Sequence, residues 1–211
     1  MKPFKFRTSA NARIPAIERI ERMHPLKMIN YLVISVSCIL FAVITLFFVG
    51  FLANGMTGQL HYTLPKFFVV STMLLVVSTH FTSKIIAAYC SDNIAELRKL
   101  ISFTLIGGLI YFLSQSLAWM EILKLDLLHK VSGISTYLFI FSGMHFVYML
   151  VGVVMSAMLF YKYMLIENDP VKTLIATTNP HEKVKLEIFK TYWNFLVFSW
   201  GLIFLMLLFI F

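Results

Sequence analysis

Charge is scarce in this chain, and negative charge scarcer still. Asp, Glu, Lys and Arg make up 13% of 211 residues, and the acids number ten. None lies well inside the long apolar runs; the nearest, Asp92, Glu121 and Glu187, sit at or beyond their ends. A proton relay or ion-coupled transport through this chain alone therefore lacks intramembrane stepping stones. Cysteine is nearly absent. Cys38 and Cys90 are too few and too far apart for a disulfide framework and read as free thiols. No Cys or carboxylate accompanies either of the histidines inside the apolar runs, His80 and His145, at metal-ligand spacing, which argues against a zinc-type site there. Repeats and low-complexity tracts are missing. So is a signal peptide: the first apolar run starts near residue 29, is too long for an h-region and lacks a small-residue cleavage site, so it serves as its own insertion signal.

What the chain has is apolar length. It is 59% hydrophobic, more than a soluble core of this size can hide. Five runs, roughly Ile29–Leu52, Phe67–Tyr89, Leu100–Ile122, Ser135–Tyr161 and Ile188–Phe211, are each long enough to cross about 30 Å of hydrocarbon as a helix. Without water, backbone groups must be satisfied inside a helix or a closed barrel, and unbroken runs without alternation are helices. The expectation is an all-α membrane protein, a bundle of five transmembrane helices (residues 28–211) preceded by a basic segment (1–27). Within that segment, Pro15–His24 has the spacing of a short amphipathic helix, lying on the inner leaflet or docking a partner.

The net charge of +8 is informative through its placement. Of the 18 Lys and Arg residues, 15 fall in the N-terminal segment, around the second loop and in the fourth loop. The positive-inside rule then puts the N-terminus inside and the C-terminus outside. No basic surface is separable from the membrane-facing loops, so nucleic acid is not an expected partner. Lys84, Arg98 and Lys99 are candidates for phosphate headgroups of bound lipid, or for ordinary interface solvation. Asn54–Pro65 and Leu123–Gly133 read as outer loops. Leu165–Glu187 reads as the longest inner connection, with turn signals at Asp169-Pro170 and Asn179-Pro180.

Two histidines, His80 and His145, lie within the runs. They are read either as interhelical hydrogen bonders or as axial ligands of a b-type haem, though their depths differ by roughly 5 Å. Gly143, Gly152 with Ser156, and Gly107-Gly108 are notches for close helix approach. Trp119, Tyr137, Tyr161, Tyr163, Tyr192 and Trp193 suit aromatic belts at span ends.

The order of these elements is more specific than any one of them. Ser71-Thr72-Met73-Leu74-Leu75 and Ser78 are followed by Thr104, Gly107-Gly108, Tyr111-Phe112 and Gln115. Ser142-Gly143-Met144-His145 comes next, then Gly152, Glu187, Tyr192-Trp193-Asn194-Phe195 and Trp200. From about Lys27 to its end the chain resembles subunit III of the haem–copper oxidases, in the short form with five spans. His145 matches the first histidine of that family's Thr-Gly-x-His motif, Gln115 its glutamine, and Glu187 the acid before its last helix. Tyr148 and Asn194 stand where the family has histidines, and Val197 and Ala118 where it often has acids. The first span, around Val36 and Ser37, lacks the family's buried glutamate.

The resemblance implies an accessory subunit without a catalytic centre or cofactor of its own. It would sit in a bacterial-type cell membrane beside catalytic subunit I and subunit II of a terminal oxidase, which hold the haem and copper. Membership of a respiratory supercomplex is left open, and phospholipid would be bound between its helices. His145, Tyr148 and Gln115 are expected to form an interhelical polar network, and Glu187 and Asn194 to anchor the inner boundary. The departures fit quinol oxidase or nitric oxide reductase relatives as an alternative.

Overall fold

The structure is a computed structural model that describes residues 24–54, 66–124 and 132–210. The interfacial segment and the two outer loops expected from the sequence fall largely or wholly outside these residues. Six helices run through them: α1 (Pro25–Ala53), α2 (Lys66–Cys90), α3 (Ile94–Lys124), α4 (Ser132–Glu167), α5 (Pro170–Thr178) and α6 (Pro180–Ile210). No strand occurs among the described residues. Five of the helices are long and apolar enough to span a membrane, so this is an all-helical multi-pass membrane protein.

The local chemistry explains the breaks. Between α2 and α3 the chain turns within Ser91–Asn93, with Asp92 at φ 55°, a left-handed position that Asp tolerates better than bulkier residues. Asn93 then caps α3: its Oδ1 accepts from the Glu96 amide at 3.0 Å, and its amide donates to the Glu96 carboxylate at 3.1 Å. The expected long connection from 165 to 187 is instead almost wholly helical. Asp169 caps α5 by accepting from the Val171 and Lys172 amides, and Pro170 and Pro180 occupy first-turn positions where the missing N–H costs nothing. What reads as turn chemistry in sequence is here helix-start chemistry.

Packing divides the spans unequally. α2, α3, α4 and α6 form a four-helix core, with α2 and α3 as a tightly paired antiparallel hairpin. Among the described residues α1 leans mainly on α6 and, less, on α4, and buries only Ser37 and Phe48. α5 lies at the basic end of the bundle, beside the ends of α4 and α6.

Because α6 starts at Pro180, eight residues before its apolar run, Trp193 sits well inside the bundle. It is fully buried, as is Tyr163, and Tyr192 is nearly so. These three belong to the core, not to an aromatic belt. Of the glycines, Gly108 and Gly152 are true notches. A Cβ there would lie 2.6 Å from Val153 Cγ2 and 2.6 Å from Leu196 Cδ1, respectively. Gly143 faces open space, and Gly107 has room for ordinary contact.

Candidate functional site

The centre of the core is a polar cluster built on His145. Its ring is completely buried. Nε2 lies 2.9 Å from the Leu196 carbonyl oxygen, which can only accept, so Nε2 carries the hydrogen. Nδ1 of the neutral ring is then the acceptor for the Tyr111 hydroxyl at 2.8 Å. One imidazole thus joins α4 to α3 and α6 and has no free nitrogen. Trp200 packs against both rings, with centroids 5.0 Å from His145 and 5.5 Å from Tyr111.

A second device surrounds it. All three tryptophans donate their indole N–H to a hydroxyl on another helix. Trp200 donates to Thr72, Trp193 to Ser78 and Trp119 to Ser142, at 2.9, 2.9 and 3.0 Å. Each hydroxyl donates its own hydrogen to a carbonyl one turn back, those of Phe68, Leu75 and Leu138. Its oxygen is left as a fixed acceptor aimed across the interface. These small residues give close approach and directional bonds together, in a medium where apolar surface alone gives helices little reason to associate.

The expected trio does not assemble. Gln115 is fully buried one turn from Tyr111, yet neither its amide nitrogen nor its amide oxygen finds a partner. Tyr148 contributes its backbone carbonyl to the Tyr192 hydroxyl at 2.9 Å and its ring to Phe41. Its own hydroxyl makes no hydrogen bond among the described residues. Tyr111, which stands in the sequence as an ordinary aromatic, takes the place expected of them.

His80 does not join His145. It is exposed on the outward side of α2, with its ring 5.9 Å from that of its chain neighbour Phe81. With one ring outside the bundle and the other engaged on both nitrogens, the two do not form an axial ligand pair for haem. Asn194 is also exposed. It follows Trp193, whose partner Ser78 is at the middle of α2, so it lies at mid-depth rather than at a boundary.

The basic end is held by ion pairs. Glu187 pairs with Lys27 and ties α1 to α6. Glu167 pairs with Arg98, and buried Glu182 holds Lys162 and Lys185. The Tyr89 hydroxyl reaches the carbonyls of Ala176, Thr177 and Asn179 at 3.0–3.2 Å and fixes the end of α5. Lys172, hydrogen-bonded to Asp169, and the capping amides hold that carboxyl below its ordinary range.

Three clefts open beside these groups. Lys84, Arg98 and Lys99 line one of about 630 Å³ between α2 and α3, with Phe81 and Phe103 as apolar walls. Arg98 is committed to Glu167, so Lys84 and Lys99 supply the uncommitted charge; Lys99 stands 6.0 Å over the Phe103 ring. Between α1 and α6 lies a polar cleft of about 420 Å³ near Lys27, Tyr31 and Lys190. A second, apolar one of about 510 Å³ is walled by Phe41, Phe195 and Leu202. Both cysteines are free and exposed. No group of three or more His, Cys, Asp or Glu side chains converges among the described residues.

No family model matches the chain, and no curated protein matches it.

Proposed function

We propose that this protein is a non-catalytic accessory subunit III of a haem–copper terminal oxidase of the cytochrome c oxidase type. In this reading it packs beside catalytic subunit I and subunit II in a bacterial-type cell membrane, with its basic end in the cytoplasm. The haem and copper belong to the catalytic partner. The observation that carries the reading is the use to which the motif residues are put. His145 bridges three helices, Gly152 receives Leu196, and Trp193 and Trp200 lock onto hydroxyls of α2. Residues that carry the resemblance thus build a rigid scaffold, which suits a subunit that stabilises another.

Lipid fits the clefts. Lys84 and Lys99 suit a phosphate headgroup, and the apolar cleft between α1 and α6 suits acyl chain. A second reading, a subunit III-like protein of a quinol oxidase or nitric oxide reductase system, is favoured by Tyr148 and Asn194 at the family's histidine positions.

Affinity purification in mild detergent, with mass spectrometry of every co-purifying chain, tests both. A haem–copper catalytic subunit at near-equal amount is the expected result, and its companions identify the electron donor. Recovery of the protein alone would sink the proposal.

A further inference from the structure

The outward face of α2 breaks a rule that the rest of the bundle obeys. Ionisable side chains inside a membrane face the bundle interior or water, because hydrocarbon offers them no partner. His80 does neither. It is exposed on the side of α2 away from the core, and its ring nitrogens make no hydrogen bond among the described residues. It stands ten residues from Cys90 and fourteen from Lys66, about 15 and 21 Å from the two ends of α2. An imidazole is too short to reach either interface from there, whereas a lysine can snorkel.

Asn194 repeats the anomaly on the neighbouring helix. The Trp193–Ser78 and Lys190–Ser83 hydrogen bonds fix the register of α6 beside α2. They set Asn194 and His80 at the same depth, within about 3 Å. Asn194 is exposed as well and makes no hydrogen bond among the described residues. Lys84, one turn from His80 towards the basic end, is exposed and without an ion pair among the described residues.

We infer that this face of α2 and α6 docks a transmembrane helix of a partner membrane protein, and that the partner helix carries an Asp or Glu at mid-membrane depth. Lipid alone leaves His80 and Asn194 unsatisfied. A second copy of this chain, related by a twofold axis along the membrane normal, sets His80 against His80. An acid satisfies the imidazole N–H and accepts from the Asn194 amide, while Lys84, on the side of the α2–α3 cleft, is left to the headgroup region. The inference rests on the accessory-subunit reading for the existence of a partner, but not on what the partner catalyses.

The test places a photoreactive side chain at Val76 or Val77, both exposed beside His80, in the full chain in its native membrane. Control probes sit at Ile39 and Leu46 on the exposed side of α1. The expected result is an adduct from α2 with one multi-span protein, mapping to a span with an acid near its middle. His80→Leu should then lower the adduct yield roughly three- to tenfold, leaving the adducts of the α1 probes unchanged. Adducts from α2 only with lipid, only with a second copy, or with a span lacking an acid each overturn the inference. If a haem–copper catalytic subunit co-purifies but is reached only from α1, the docking inference fails and the accessory reading stands. If α2 reaches an acid-bearing span of some other protein and no catalytic subunit co-purifies, the outcome is reversed.

Discussion

α1 and α6 lie side by side and have similar lengths, 29 and 31 residues, but they are held in different ways. In the most apolar window of α1, 11% of residues are buried; in that of α6, 44% are. α6 carries Trp193, Trp200, Lys190 and Thr191 along its length and directs its tryptophans into the core. α1 presents Leu32, Ile39, Leu46 and Phe47 outward and touches its neighbours through a narrow strip. Hydrophobicity and burial thus run in opposite directions. In a membrane the most apolar helix is the one lipid solvates best, and the helix that carries the hydrogen-bonding indoles is the one its neighbours hold. In water the ranking would be reversed.

The sharpest way to break this contrast is to fill a notch. Gly152→Leu should destabilise the core by ~3 kcal/mol and lower the yield of folded protein, because Leu196 and Trp193 already occupy that space. Gly50→Leu on α1 meets nothing within 4 Å and should leave the unfolding midpoint in detergent unchanged. Equal losses for both would mean that α1 is packed as tightly as the core.

Removing the central hydrogen bonds comes next. His145→Leu strands the Tyr111 hydroxyl and should cost about 2 kcal/mol by the same unfolding measurement. His145→Gln should cost less and leave a co-purifying partner's haem spectrum unaltered. Ser35→Leu, on the exposed side of α1, should be neutral; a neutral His145→Leu would show that the cluster does not hold the bundle.

Smaller effects sharpen the picture at the basic end. Lys27→Gln removes the ion pair to Glu187, which is partly solvated and contributes about 0.5 kcal/mol. Amide exchange should rise in α1 and stay constant in α2–α4.

The smallest effect is that of pH on α5. The Asp169 carboxyl is held low in the folded protein, so its cap is intact above the ordinary carboxyl range. It is lost as pH falls through the lowered value. Exchange of the first α5 amides should therefore speed up only in acid, and Asp169→Ala should abolish that pH dependence.

How much of this was legible in the sequence follows from which physical signal each feature leaves. The spans were legible because length and unbroken apolarity are enough to define them. Facing was not, because buried and lipid-exposed sides of a membrane helix differ little in hydrophobicity. His80 and His145 look alike in sequence, yet one points out and the other in. The only usable signal lay one turn away: Ser142 precedes His145 by three residues, where the same offset from His80 gives Val77, whereas Gly152 and Ser156 correspond to Ala87 and Ser91 and do not discriminate. Small residues mark the packed side. The same stripe logic picks out Ser71, Ser78 and Thr82 on α2, all buried. The Trp–hydroxyl pairs could not be read, because each joins residues at least 23 positions apart and depends on helix register. The start of α6 was misjudged because apolarity marks where lipid begins, not where helix begins. Asn179-Pro180 was the better guide.

The leaning of α1 on α6 also sets a timetable for biogenesis. α1 is synthesised well before its main neighbour α6, and well over a hundred residues separate Ala53 from Pro180. At ribosomal speed that interval is on the order of ten seconds. During it α1 waits in the bilayer without the helix it will rest against. A span needing many polar bonds would spend that time exposed to wrong partners or to quality control. One that lipid alone satisfies can wait, and α1 has that composition.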